Sequence, residues 1–138
     1  FLSVGSNDLT QYLLAVNRNN ARVADLYQAF HPAVLRALQY IANESHAAKV
    51  RVSICGELAG DPGAAILLMA MGYDALSMNA TNLPKVKSVI RGITLGQAKA
   101  LLKEVISMPD AEQIRLRVDQ VLREAGVTRL IRPSSSPQ

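Results

Sequence analysis

The chain has 138 residues, of which 49% are hydrophobic, and fifteen Lys and Arg outnumber eleven Asp and Glu for a net charge of +4. That length supports one domain with a real core, and that composition excludes a disordered chain. A single cysteine excludes an internal disulfide framework and fits a reducing cytoplasm, while no apolar run approaches the roughly 18 residues of a membrane span.

Phe1 to Val4 is a short apolar run that reads as a strand and stops at Gly5. A short helix is expected over Leu9 to Val16, followed by a polar loop from Asn17 to Asn20. His31-Pro32 opens a second helix, because proline suits the first helical position, where its missing N–H has no partner to lose. Its apolar stripe is Val34, Leu35, Leu38, Ile41 and Ala42. A second strand is expected over Val50 to Ile54. Asp61 reads as an N-cap with Pro62 behind it, and Gly72 as the stop of the same helix. Between them Ala64 to Met71 is apolar on every side, which suits a helix packed on a sheet and covered again on its outer side.

Ala75 to Met78 reads as a third strand, leading through Asn82-Leu83-Pro84 to a helix ending near Gly92. Thr94 and Gln97 have the spacing of a capping box and open the next helix. Pro109-Asp110 starts a last helix running to about Ala125 and stopped by Gly126. Residues 133–138 form a Ser/Pro tail with no expected structure. Strand and helix alternating in this rhythm argue for parallel pairing.

Charge is uneven: residues 1–81 carry five Lys/Arg against six Asp/Glu, and residues 82–138 carry ten against five. The basic half interleaves its charges, as in Arg115, Arg117, Asp119, Arg123 and Glu124, and holds no aromatic residue for base stacking. Solvated helix faces account for it better than a nucleic-acid surface.

Chemistry gathers at the strand ends. The first delivers Asn7 and Asp8 after Gly5, the second delivers Cys55 before Gly56-Glu57-Leu58-Ala59-Gly60-Asp61, and the third delivers Asn79. In parallel α/β folds, side chains from the carboxyl ends of several strands converge on one ligand. Each residue also has a plainer reading. Asp8 can cap a helix, Cys55 can be a small buried hydrophobe, and Arg18 can be an exposed loop charge. Turn and cap roles suffice for Glu57 and Asp61, His31 and His46 suit helix ends, and Met69, Met71 and Met78 suit core or site walls. A lone cysteine gives no zinc-type spacing.

Gly5-Ser6-Asn7-Asp8-Leu9, Val16-Asn17-Arg18-Asn19-Asn20, Cys55 to Asp61 and Leu76-Ser77-Met78-Asn79 resemble, in that order, the carboxyl-terminal part of enzyme I. Enzyme I is the phosphoenolpyruvate-protein phosphotransferase of bacterial phosphotransferase systems. Pyruvate phosphate dikinase and phosphoenolpyruvate synthase share the first motif but diverge after Cys55-Gly56. Arg18 to Val23 and Leu130-Ile131-Arg132 look more like the nitrogen-related form than the sugar-branch form.

The resemblance implies the last three β-α units of a (β/α)₈ barrel plus terminal helices over residues 1–132. A chain opening in mid-motif without methionine fits a segment of something larger. It further implies Mg²⁺ on Asp8, phosphoenolpyruvate held by Asn7, Asp8 and Arg18, and Cys55 as the proton donor to the enolate of pyruvate. The parent enzyme would pass the phosphoryl group to its own histidine, then to a histidine phosphocarrier, and would dimerise through this region. The isolated chain is expected to be inactive and to self-associate through its open sheet edges. The face Leu95, Ala98, Leu101, Leu102 and Val105 is the expected dimer surface.

Overall fold

A computed structural model describes residues 1–127. The tail at 133–138, and the end of the expected barrel segment, lie outside the described residues. The chain alternates strand and helix as far as β3, then continues through three helices. The strands are β1 (Leu2–Gly5), β2 (Val52–Cys55) and β3 (Ala75–Ser77), and the helices are α1 (Ser6–Leu14), α2 (Pro32–Ala47), α3 (Pro62–Met71), α4 (Leu83–Gly92), α5 (Leu95–Val105) and α6 (Ala111–Glu124). Short 3₁₀ turns cover Ala24–Leu26 and Leu58–Gly60. Among the described residues no helix is long and apolar enough to cross a membrane.

The strands form one parallel sheet in the order β1-β2-β3. Val4, Ile54 and Leu76 share a register row, as do Ser3, Ser53 and Ala75, and then Gly5, Cys55 and Ser77. Because successive strand residues point to opposite faces, the rows divide cleanly. Val4, Val52 and Ile54 are buried toward the helices. The other face carries only small residues, and Ser3, Cys55, Ala75 and Ser77 on it are exposed. That sorting, and the absence of strand partners on the outer sides of β1 and β3 among the described residues, fit three units of a (β/α)₈ barrel.

Capping chemistry fixes most helix ends where the sequence places them. His31 Nδ1 accepts from the Ala33 N–H at 3.1 Å, with Pro32 behind it. Asp61 Oδ1 accepts from the N–H groups of Gly63 and Ala64, and Gly72 ends α3 at φ 91°. The Thr94–Gln97 capping box is present in both directions. Asp110 Oδ1 caps α6 through Glu112 and Gln113. Helix α1 departs from expectation: it begins at Ser6, not Leu9, with Gly5 as its N-cap and no side-chain cap. The polar Ser6-Asn7-Asp8 run is its first turn, where N–H groups lack intrahelical partners and apolar side chains are not required. Strand β2 also runs one residue further than expected and takes in Cys55.

Helix α3 is the hub. Ala64 to Leu68 are all within 1% of full burial, with α2, α4, α5 and α6 packed around it. This all-round burial is what its unbroken apolar sequence requires. The α5 face expected to form a dimer is spent here instead. Ala98, Leu101, Leu102 and Val105 are buried within the chain's own core, and Leu95 alone of that set is exposed.

Asp61 does a second job. While Oδ1 caps α3, Oδ2 takes the Arg115 Nη1 of α6 at 2.6 Å, and the Arg115 guanidinium lies 4.9 Å from the Phe30 ring centre. Asp61→Ala is expected to cost the chain about 1–2 kcal/mol in a urea titration, chiefly through the lost cap. Asp61→Asn, which keeps a capping oxygen, should lose less, because the half-exposed ion pair itself contributes little.

Tyr73 buries its ring and donates its hydroxyl to the Leu38 carbonyl at 3.1 Å. Burial pushes its phenol well above the ordinary value of 10.0. The native state therefore holds this proton to higher pH than the unfolded chain does. Its contribution to stability is whole below about pH 10 and is lost as pH rises beyond it. Tyr73→Phe should cost about 1 kcal/mol at neutral pH and flatten the alkaline fall in a melting series.

Candidate functional site

The three strands end together around a cleft of about 390 Å³, whose walls include Asn7 from α1, Cys55 from β2, Ser77 from β3, and Met78 and Asn79 just beyond it. Two glycines permit the close packing. Gly56 leaves β2 at φ 109°, and a Cβ there would overlap Ser6 Oγ and come within 3.3 Å of Asn7 Oδ1. A Cβ on Gly60 would lie 2.6 Å from Asn82 Nδ2. Ser6 Oγ is buried and has no hydrogen-bond partner among the described residues.

Asn7 anchors the cleft. Its Oδ1 accepts from the Glu57 N–H at 3.3 Å and from the Tyr27 hydroxyl at 3.5 Å, and its carbonyl accepts from the same hydroxyl at 3.4 Å. Burial raises the Tyr27 phenol, with the Thr10 hydroxyl and the Arg18 cation pulling the other way, so it stays a neutral donor across the physiological range. Cys55 is a free, exposed thiol, not a core residue.

Arg18 does not line the cleft itself. It reaches the rim through Glu57, with Nη1 3.1 Å from Oε1. Asp8 is the third residue of α1, exposed, and makes no capping hydrogen bond, so the plain capping reading fails. Its carboxylate lies beside Gly5, where a Cβ would sit 3.4 Å from Oδ2. A carboxylate in that first turn, near unpaired N–H groups, is still favoured by the helix dipole.

Among the described residues no cluster of three His, Cys, Asp or Glu side chains is placed to hold a metal ion. Asp8 is one hard oxygen donor of the kind Mg²⁺ takes, which alone is at best half of a site that is completed by a further carboxylate, waters and substrate phosphate.

The remaining expectations sort themselves by position. His31 caps α2, and His46 packs on Gly72, whose Cβ would lie 2.6 Å from the imidazole Cε1. Met78 forms a cleft wall and Met71 lies in the core. Sequence reasoning passes over Tyr27, Asn82 and the pairing role of Glu57. The one signal that points to any of them is the position of Glu57 directly after Cys55-Gly56.

A parallel α/β sheet with a polar cleft at its strand ends defines a ligand-binding domain of the barrel class, and comparison with known proteins says which. The family described as PEP-utilising enzyme, PEP-binding domain, matches residues 1–95, and the chain belongs to it. Over 132 residues it is 43% identical to a Salmonella typhimurium protein and 42% identical to one from Escherichia coli K12, both named phosphoenolpyruvate-dependent phosphotransferase system. These matches take in 96% of this chain and 18% of each relative. A Haemophilus influenzae phosphoenolpyruvate-protein phosphotransferase is 41% identical over 124 residues, 90% of this chain and 22% of that protein. The chain thus spans about a fifth of the length of the curated relatives it matches.

Proposed function

We propose that this chain supplies the carboxyl-terminal part of the active site of a phosphoenolpyruvate-protein phosphotransferase working in the cytoplasm. The observation that carries the reading is the meeting of Asn7, Cys55 and Asn79, from three separate strand ends, in one open cleft. Relatives that carry the phosphotransferase name favour it over a dikinase or synthase. Asn7 and Arg18 bind the substrate, the guanidinium offering paired N–H donors to phosphate oxygens. Asp8 would hold Mg²⁺, which when bound neutralises phosphate charge. As an enzyme histidine takes the phosphorus, the P–O bond to the enol oxygen breaks and an enolate remains. Cys55 Sγ–H then gives its proton to the methylene carbon, forming the methyl group of pyruvate. The phosphoryl group passes from the enzyme histidine to a histidine phosphocarrier, and the resemblance over Arg18 to Val23 favours the nitrogen type.

The test is transfer of label from ³²P-phosphoenolpyruvate, with Mg²⁺, to such a carrier by the complete polypeptide containing this segment. Labelled carrier with matching pyruvate is expected, and the 138-residue chain alone should release none. A complete polypeptide that labels no carrier overturns the reading.

Self-association is a second reading, supported by the outer sides of β1 and β3, which have no strand partner among the described residues, and by Phe1 and Leu2, 98% and 42% exposed beside one of them. Light scattering on the isolated chain should find dimers or larger species, and a monodisperse monomer would count against it. In the parent enzyme the corresponding proposal is a homodimer, through a surface other than the buried α5 face.

A further inference from the structure

We infer that Glu57 is a positioning residue, holding Arg18 at the rim of the cleft so that an incoming phosphate meets a guanidinium already in place. The inference rests on the phosphoenolpyruvate reading of the cleft. Arg18 lies on the long connection between α1 and α2, whose regular structure is limited to the 3₁₀ turn at Ala24–Leu26. An arginine on such a loop has many rotamers to lose on binding, and a partner that restricts them beforehand lowers that loss.

Glu57 is well placed to be that partner. Its backbone is fixed by the left-handed exit at Gly56 and by its N–H bond to Asn7 Oδ1, so the residue that carries the carboxylate is tied through its main chain to the one that anchors the cleft. Tyr27 ties the far end of the Arg18 loop to that residue as well. Among the described residues Arg18 is engaged through Nη1 alone, at 3.1 Å. The guanidinium has five N–H donors in a planar fork, so Nε and Nη2 remain for two phosphate oxygens. With side chains 40% and 75% exposed, the pair is the kind that adds almost nothing to folding. Its removal should therefore register in substrate binding and not in stability.

The test compares Glu57→Ala, Glu57→Gln, Arg18→Ala and the double variant Glu57→Ala/Arg18→Ala in the complete polypeptide, with phosphoenolpyruvate as the varied substrate. Glu57→Ala should raise KM roughly tenfold with kcat within about twofold, the signature of lost ground-state binding. Glu57→Gln, whose amide oxygen still accepts from Arg18, should fall between Glu57→Ala and the parent. The double variant should match Arg18→Ala alone, since a residue acting through Arg18 has nothing left to act on. An unchanged KM, a loss confined to kcat, or effects that multiply in full would each overturn the inference. An inactive parent would instead overturn the phosphoenolpyruvate reading. The loop itself is then the readout: amide exchange over residues 17–27 of the chain should quicken in Glu57→Ala, and unchanged exchange would overturn the positioning role.

Discussion

Cys55→Ala is expected to lower pyruvate formation by the complete polypeptide roughly 10²–10⁴-fold, the usual range for a lost general acid. The thiol is exposed at the end of β2, in the register row of Gly5 and Ser77, so the substitution removes nothing from the core. Unfolding should therefore stay within about 0.5 kcal/mol of the parent, as for ordinary surface changes. Affinity for phosphoenolpyruvate should also persist, because Arg18, Glu57 and Asn7 make their contacts without Cys55. The reverse half of the same step gives an independent readout. Exchange of the pyruvate methyl protons with D₂O, followed by NMR, should stop in the variant. Exchange and turnover both indifferent to the substitution would make Cys55 a bystander in its own cleft.

The second large effect is expected at Gly56, where backbone and packing penalties coincide. At φ 109° a residue bearing a Cβ is strained by about 1–3 kcal/mol. The added methyl would also overlap Ser6 Oγ and press on Asn7. Gly56→Ala should thus lower the stability of the chain by at least the strain term and raise KM for phosphoenolpyruvate by shifting the Asn7–Glu57–Arg18 chain of contacts. Gly126→Ala is the natural control. That glycine has φ 72°, and a Cβ added to it would meet no atom of the described residues within 4 Å, so the conformational cost is the main one expected and KM should not move. Equal behaviour of the two variants in melting and kinetics would show that the Gly56 contact has no bearing on the cleft.

What the sequence discloses and what it hides divide along distance. Asp61-Pro62 to Gly72, Thr94 with Gln97, and Pro109-Asp110 are legible because a cap and its helix lie within a few residues of one another. Three strand ends bearing Asn7, Cys55 and Asn79 are legible because β-α alternation itself brings such ends to one side of a sheet. The Arg18–Glu57 pair spans 39 positions and Tyr27–Asn7 spans 20, and no periodicity connects either. Helix α5 shows a different limit. Its apolar face is plain in the sequence, but amphipathicity says that a face is covered and not by what. The cover is α3 of the same chain. The early start of α1 is hidden because Ser6-Asn7-Asp8 has the composition of a loop.

The two-handed carboxylate of Asp61 also sets an order of events during synthesis. Its partner Arg115 lies 54 positions further on, and a ribosome adding roughly 5–20 residues per second reaches it roughly 3–11 s later. Through that interval the corner between β2 and α3 has its cap and the packing of Leu58 and Ala59 but lacks its ion pair, and Phe30 lacks the guanidinium over its ring. The turn six residues beyond Cys55, which follows the cleft wall at Glu57, is therefore made well before the α6 partner that locks it.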